Sequence, residues 1–553
     1  MTSMREAVRA AVEAALSRAE EAGDLRRPEG GAWPEISIER PARPEHGDYA
    51  TNAAMQLAPV VRDAPLRIAE TLRRHLLLPD GVGEASVAPP GFLNLRLDPG
   101  WVAGQVGAIL AGGPRFGEVR VANRRRINVE FVSANPTGPL HIGNARGAFV
   151  GDLLCRVLAG VGHEVTREYY FNDSGAQVRN LGLSVLALRD GQPLPEDGYR
   201  GEYVADLAAA MPDDLLASAR AGEDAGWAVG TWASEQVRAG IESSLARLGV
   251  RFDVWRGERT LHADGWVARA VERLAASGQV FEADGATWFR STAYGDDKDR
   301  VIYRSNGEPT YFAADIGYLT DKFGRGFDEL IYLWGEDHHG TVARLRNAAE
   351  AMGFDRGAVQ VLLMAWVRFV RDGKEISMSK RSGEYITLDE LLAEIGPDAA
   401  RWFFGSRALT TGIDFDIELA KRQSAENPVY YVQYAHARCS SILRKAAEAG
   451  VTPDAGSAAA LLAHPAEQAL IRRLLALPEV VGDAAERRET HEVTRYCLEV
   501  AQLFSQFYRD CRVLPDGPDE VPLSQARLAL TDASRQVLAN ALGLLGISAP
   551  VSM

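Results

Sequence analysis

The sequence predicts an α/β protein: a doubly wound parallel sheet, preceded by a smaller α/β unit and followed by an all-helical domain. Three observations carry this expectation. Strand-like and helix-like segments alternate from residue 126 onward, as in parallel sheets built from βαβ units. The first of those strands runs into a turn of glycine, proline and histidine, the place where such sheets hold their ligands. After about residue 420 the strand-like segments give way to long amphipathic ones broken by proline and glycine, as in a helical bundle.

Residues 1–120 form the small N-terminal α/β unit. Residues 4–21 carry Ala, Val and Leu at helical spacing, 36–38 read as a strand, 50–61 and 66–78 as helices, and GFLNLRL (91–97) as a strand. The main domain spans 121–370. INVEFV (127–132) is its first strand, 145–158 a helix and HEVTREYYF (163–171) the next strand, together a right-handed crossover. An insertion rich in Ala, Leu and Glu occupies about 180–250, and the strand-like pieces RFDVW (251–255) and ATWFR (286–290) follow. The sheet resumes with DELIYLWG (328–335) and VQVLLMAWVRF (359–369), the latter read as one buried strand. Residues 371–420 hold the loop KEISMSKRSGE and a connecting stem, and 421–553 the helical domain.

Composition narrows the function. With 61 Lys and Arg against 75 Asp and Glu, the chain carries a net charge of −14, which argues against indiscriminate nucleic-acid binding by counterion release. A nucleic-acid partner must be met by local basic surfaces, and DNA is not expected. No apolar run reaches the ~18 residues that a spanning helix needs, and Arg5, Glu6, Arg9 and Glu13 interrupt any signal-peptide core. The expected address is the cytoplasm, away from membranes. Cys155, Cys439, Cys497 and Cys511 show no CxxC spacing and are read as reduced thiols, not as zinc ligands or disulfides.

Two segments carry chemistry. PTGPLHIGN (136–144) joins a strand to a helix N-terminus, where free N–H groups and the helix dipole favour phosphate, and Gly138 and Gly143 let a nucleotide approach the backbone. SMSKRSG (377–383) places Lys380 and Arg381 among serines, a loop able to neutralise a phosphoryl transition state. Alone, the first more often closes a tight connection and the second more often is a solvated surface. Their order, one after the first strand and one after the last, favours a nucleotide site. In WGEDHHG (334–340), Asp337, His338 and His339 are weak metal candidates because adjacent histidines in an extended turn point apart. No protein-bound metal is expected.

HIGN (His141 to Asn144) and MSKR (Met378 to Arg381) resemble the two signatures of class I aminoacyl-tRNA synthetases. VEFVSANPTGPLHIGNARGA, YYFNDSGAQ, PTYFAADIGY, YLWGEDHHG and NPVYYVQYAHAR, in that order, closely resemble bacterial-type arginyl-tRNA synthetases over essentially the whole chain. The resemblance implies a Rossmann-like class I catalytic domain, an N-terminal domain that meets the tRNA elbow and a C-terminal anticodon-binding domain. It implies a ligase that joins L-arginine to tRNA(Arg) using ATP, with Mg2+ arriving on the ATP phosphates, initial attack by the 2′-hydroxyl, and adenylate formation that needs bound tRNA. A monomer is expected.

Carried over residue by residue, the resemblance assigns His141, Gly143, Asn144, Gly335, Asp337, Met378, Ser379 and Lys380 to ATP. His141, Asn144 and Lys380 are the catalytic members. Ser377 stands where the usual loop has its first lysine, which leaves Lys380 and Lys374 to supply charge. Glu130, Ser133 and Asn135 match positions that hold the amino-acid backbone, while Glu258, Tyr311 and Asp315 match those for the guanidinium. A planar, permanently charged guanidinium calls for carboxylates in bidentate geometry, which lysine and citrulline cannot satisfy. Tyr311 and Asp315 are four apart and share a helix face. Tyr430, Tyr434 and Arg438 form one helical stripe that either packs or stacks on tRNA, with Arg444, Arg509 and Arg512 as candidate phosphate contacts. Two other readings stay open: a small-molecule nucleotidylyltransferase, which needs no flanking tRNA-reading units, and a catalytically idle tRNA-binding paralogue, which Ser377 alone favours.

Overall fold

The computed structural model describes residues 3–27, 31–41, 43–371, 373–376, 386–456 and 459–553. Among these residues the centre is a five-stranded, all-parallel sheet: β1 (Arg126–Glu130), β2 (Glu164–Phe171), β3 (Val254–Gly257), β4 (Glu329–Gly335) and β5 (Val359–Met364). The strands lie in the order β3-β2-β1-β4-β5. The chain therefore winds outward from β1 one way, returns, and continues from β4 the other way, which opens a crevice at the carboxyl ends of β1 and β4. Tyr332 of β4 sits beside Glu130 of β1, and Glu130 beside Glu168 of β2. Successive residues of β4 point to opposite faces, so Ile331 and Leu333 enter one hydrophobic core and Leu330 and Tyr332 another.

The helix after β1, α1 (Ile142–Gly160), lies close on the strand it leaves. A Cβ on Gly151 would stand 2.3 Å from the Phe131 ring, so glycine is what permits this approach. Helices Ala176–Arg189, Glu202–Ala210, Asp213–Ala221 and Ala225–Arg247 fill the β2–β3 connection. Beyond β3 come α2 (Glu258–Ala263), helix Trp266–Ala276, a small antiparallel sheet, and α3 (Tyr311–Gly324), which feeds β4. The connection from β4 to β5 is α4 (His339–Ala351).

Three expectations differ from the structure. The run 359–369 is two strands: after Met364 the chain leaves the parallel sheet, and Val367–Arg371 pairs instead with Lys374–Glu375 and Ile413–Asp416. The break is set from outside the run, where buried Arg146 donates to the carbonyls of Ala365, Ala408 and Thr411 at 2.7–2.9 Å. The parallel sheet resumes before DELIYLWG, since Val254–Gly257, which begins in the RFDVW piece, pairs parallel with Glu164–Phe171, whereas Ala286–Phe289 pairs antiparallel with Val280–Ala283 and Arg300–Tyr303. Residues 36–38 form no strand. Ile36 and Ile38 are buried, but the chain reaches its neighbour only through a bridge between Glu39 and Ala50.

The N-terminal unit packs helices on an antiparallel sheet of Tyr49–Thr51, Phe92–Leu97 and Val82–Ala88. It is tied to the C-terminal helices by polar contacts: Tyr49 and Arg40 donate to Glu479 at 2.7 and 2.6 Å, and Arg472 pairs with Asp48 at 2.9 Å. Those helices include α5 (Pro428–Glu448) and the long Val521–Leu545. Cys155, Cys439, Cys497 and Cys511 are buried free thiols. No helix among the described residues is long and apolar enough to cross a membrane.

Candidate active site

The turn after β1 is strained. Val132 and Ser133 have φ of 67° and 42°, left-handed values that are costly for a β-branched residue and that cluster at functional sites. Tyr169 clamps the turn, its hydroxyl accepting from the Ala134 N–H at 3.0 Å and donating to the Ala134 carbonyl at 2.9 Å. The turn delivers His141 to the N-cap of α1, where Asn144 Oδ1 accepts from the His141 N–H at 3.3 Å. A Cβ on Gly143 would lie 2.8 Å from the His141 ring, so any side chain there would displace the imidazole. The first turn of α1 thus offers N–H groups and a positive dipole end to an anion.

The chain from Ile386 onward is tied to this turn. Ile142 N–H donates to the Ile386 carbonyl at 3.2 Å, and Leu388 N–H to that of Leu140 at 2.9 Å. Ser377, Met378, Ser379, Lys380 and Arg381 themselves lie outside the described residues. Across the crevice, β4 ends at Gly335. The following residues are not extended as expected: Glu336–His338 is a 3-10 turn running straight into α4, with His339 its first residue. Asp337 is exposed, its carboxylate 3.6 Å from His338 Nε2. Among the described residues, no group of His, Cys, Asp and Glu has the arrangement of a metal site.

The residues at the end of β1 and the start of α2 and α3 bring carboxylates together. Glu130 ends β1, and its Oε2 accepts from Lys322 Nζ at 2.6 Å while Oε1 accepts from Ser133 Oγ at 3.1 Å. Lys322 is wholly buried, its ammonium 4.2 Å from the Tyr318 ring centre and 4.0 Å from that of Tyr332. Removing one partner of such a pair typically costs about 3–5 kcal/mol. Glu258 opens α2; its Oε2 accepts from the Tyr170 hydroxyl at 2.9 Å and its Oε1 from Ser174 Oγ at 3.4 Å, with His262 Nε2 3.9 Å away. Asp315 lies one turn into α3. Burial first, then the charges of Glu130 and Glu258, push its carboxyl up to about 7 against the opposing pull of Arg344. Burial, followed by the charges of Glu258, Asp315 and Glu130, likewise pushes the Tyr170 hydroxyl up. A carboxyl whose proton affinity is raised by the charges of two neighbouring carboxylates lies where a cation is favoured.

A cavity of about 380 Å³ opens here, lined by Asn135, Ser174, Gln177, Glu258, Arg304 and Tyr311 among others. Tyr311 is 73% exposed at its rim, and Asn135 Nδ2 donates to Gln177 at 2.8 Å. Glu130, Ser133 and Asp315 are not among its lining residues. Several contributors went unassigned in the sequence: Tyr170, Ser174, Gln177 and Lys322. The signal for the first three was present in YYFNDSGAQ, since a segment leaving the strand next to β1 must reach the same crevice. Lys322 carried no such signal.

The C-terminal candidates divide. Tyr434, Arg438, Arg444 and Arg512 line a cavity of about 650 Å³ with Lys445, Tyr508 and the chain end Val551 to Met553. Arg438 stands over the rings of Tyr434 and Tyr508 at 4.7 and 5.1 Å, and donates to the Tyr434 hydroxyl at 3.0 Å. Tyr430 is half-buried and stacked on Tyr434 with ring centres 6.4 Å apart. Neither it nor Arg509, which pairs with Asp510 at 2.9 Å, lines the cavity.

Sheet order, histidine turn and Gly335 turn together define a class I aminoacyl-tRNA synthetase catalytic domain, and residues 105–208 and 232–402 match the profile of "tRNA synthetases class I (R), catalytic domain". Residues 3–97 match "Arginyl tRNA synthetase N terminal domain", and 432–553 "DALR anticodon binding domain". The chain belongs to the arginyl-tRNA synthetase family. It is 47% identical to the arginine–tRNA ligase of Desulforudis audaxviator over 571 residues, covering 100% of both chains, and 44% identical to that of Moorella thermoacetica over 557 residues, covering 98% of both. The structure of Thermus thermophilus arginyl-tRNA synthetase superposes with a TM-score of 0.78 at 25% identity, covering 100% of both chains.

Proposed function

We infer that the protein activates L-arginine with ATP and transfers it to the 3′-terminal adenosine of tRNA(Arg). The carrying observation is the cluster of Glu130, Glu258 and Asp315 beside the anion-binding turn at His141. A dicationic amino acid meets the cluster, while its own carboxylate is turned toward the ATP phosphates. Glu258 and Asp315, with Tyr311 at the rim, take the guanidinium; Glu130, Ser133 and Asn135 take the α-amino end. His141, Gly143 and Asn144 receive ATP from one side of the crevice, Gly335 and Asp337 from the other. Met378, Ser379 and Lys380 complete the ATP set, with Lys380 stabilising the pentavalent phosphate.

The arginine carboxylate oxygen bonds to the α-phosphorus as the bond to pyrophosphate breaks, and pyrophosphate leaves with its magnesium. The terminal 2′-hydroxyl then attacks the carbonyl carbon and AMP leaves. Proximity and fixed charge supply most of the acceleration. The cavity around Arg438 supports anticodon-side tRNA binding: Tyr434 and Tyr508 offer stacking faces, and Arg438, Arg444 and Arg512 meet phosphate, with Tyr430 and Arg509 flanking. This local basic surface suits a chain of net charge −14. A cytoplasmic monomer acting on tRNA and not DNA fits these features. The test is Asp315→Ala, which raises the arginine KM at least a hundredfold with the ATP KM within about twofold; equal rises in both contradict the assignment.

A further inference from the structure

Glu258 is the first residue of α2, so where that helix starts decides where its carboxylate stands. Gly257 holds the N-cap position and has no side chain with which to accept from the first turn. The acceptor comes from another strand. In the parallel register Phe171 lies opposite Gly257, and the chain leaving β2 continues beside the chain leaving β3. Two residues further on, Asp173 Oδ1 accepts from the Arg259 N–H at 2.9 Å, the hydrogen bond that an N-cap side chain ordinarily makes. Gly257 makes room for it, since a Cβ there would stand 2.7 Å from Asp173 Oδ2. The Arg259 side chain lies 3.7 Å from that oxygen and is half-exposed, so the ion pair adds little to the cap.

We propose that Asp173 is a positioning residue of the arginine site: by capping α2 from the neighbouring strand it fixes Glu258 in the orientation that takes the guanidinium. It acts through Glu258 and not on the substrate. Asn172, Ser174 and Gly175 line the cavity together with Glu258, whereas the Asp173 side chain is turned to α2. The cap matters because the direct holds on the carboxylate are unequal. Tyr170 donates to Glu258 at 2.9 Å, but the Ser174 hydroxyl has one hydrogen and a closer acceptor in Asn172 Oδ1, 3.1 Å away against 3.4 Å. With Asp173 in place, the first turn of this six-residue helix begins at Glu258 and presents its carboxylate to the cavity. Without it the turn frays, and its first residue moves most.

The inference rests on the reading of Glu258 as a guanidinium ligand, and the experiment separates the two. Aminoacylation kcat, the arginine and ATP KM values, the inhibition constant of agmatine, which keeps the guanidinium and lacks the carboxylate, and a thermal melt are measured. The proteins are the wild type, Asp173→Ala, Asp173→Asn, Gly257→Ala, Glu258→Gln and Asp173→Ala in the Glu258→Gln background. Asp173→Ala raises the arginine KM and the agmatine constant about tenfold each, with kcat and the ATP KM within about twofold. Asp173→Asn keeps an oxygen at the cap and stays within about twofold of the wild type. Gly257→Ala pushes the Asp173 carboxylate off the helix and raises the arginine KM in the same way. In the Glu258→Gln background Asp173→Ala has little further effect, because Asp173 acts through Glu258. An unmoved arginine KM in Asp173→Ala overturns the inference even where the melt falls, since a cap that only holds the fold moves the melt alone. A rise in the arginine KM without one in the agmatine constant overturns it too. Where Asp173→Ala does not fold, an unmoved arginine KM in Gly257→Ala overturns it equally. A wild-type arginine KM in Glu258→Gln rejects the pocket reading itself; a large rise there, with the wild-type value kept in Asp173→Ala, rejects only the role of Asp173.

Discussion

Tyr170→Phe removes one hydroxyl and leaves the rest of its surroundings intact. The ring stacks on Tyr318 with centres 4.7 Å apart, and phenylalanine keeps that stack. What is lost is the 2.9 Å hydrogen bond to Glu258, leaving the carboxylate with Ser174 at 3.4 Å and His262 at 3.9 Å. A hydrogen bond to a charged group is worth about 1.5–3 kcal/mol. The longer Ser174 contact offsets part of the loss, so the lower end applies, which corresponds to roughly a tenfold rise in the arginine KM. The measurement is steady-state aminoacylation with arginine varied at saturating ATP and tRNA, then with ATP varied at saturating arginine. The ATP KM should stay within about twofold, because the only contact of Tyr170 with the turn after β1 among the described residues is its backbone N–H donating to Ser133 Oγ at 3.2 Å, which phenylalanine keeps, while the lost hydroxyl faces Glu258. An unchanged arginine KM, or a parallel rise in both constants, would refute the positioning of Glu258 by Tyr170.

With its carboxyl at about 7, Asp315 is mostly protonated at pH 6 and mostly ionised at pH 8, so the wild-type arginine KM falls about tenfold across that range while the ATP KM does not; initial rates at low arginine read this directly. The same shift has a stability consequence. The folded-state value lies above the unfolded value of about 3.9, so the stability this group contributes is present below about pH 4 and is lost as pH rises through 7. Asp315→Asn therefore raises the melting temperature of the ligand-free protein more at pH 8 than at pH 5, and a larger gain at pH 5 contradicts the sign. Gly151→Ala forces a methyl onto the Phe131 ring and costs about 1–3 kcal/mol, seen as a lower melting temperature. Arg438→Ala raises the tRNA KM, leaves the arginine KM alone and lowers the slope of log KM against log salt by about one.

The parts of the molecule that follow from local pattern were legible in the sequence. The strand, His-Gly turn and helix at 127–158 announce themselves because the turn chemistry and both hydrophobic periods are local. Features set by distant residues were not. The run 359–369 is uniformly apolar, and nothing within it marks the break that Arg146 imposes from 219 residues away. Ile36 and Ile38 carry a strand-like pattern, yet they are buried without a partner strand to pair with. Glu130, Glu258 and Asp315 were reached through resemblance, since a lone acidic residue at a strand end or helix start has no pattern of its own. The action of the Glu130 and Glu258 charges on Asp315, and the pairing of Lys322 with Glu130, exist only once β1, α2 and α3 are brought together. Tyr311 and Asp315 share a helix face as their spacing requires, but that spacing does not say that one stands exposed at the rim and the other is half-buried.

The most direct measurement is pyrophosphate exchange into ATP with each of the twenty amino acids, with and without tRNA, followed by charging of the same tRNA with each labelled amino acid. Exchange and charging with arginine alone are the expected result, with exchange appearing only when tRNA is present. Exchange without tRNA would keep the ligase and discard the tRNA requirement. Charging with another amino acid, or tRNA binding with no exchange under either condition, would contradict the assignment of the carboxylate pocket to arginine activation.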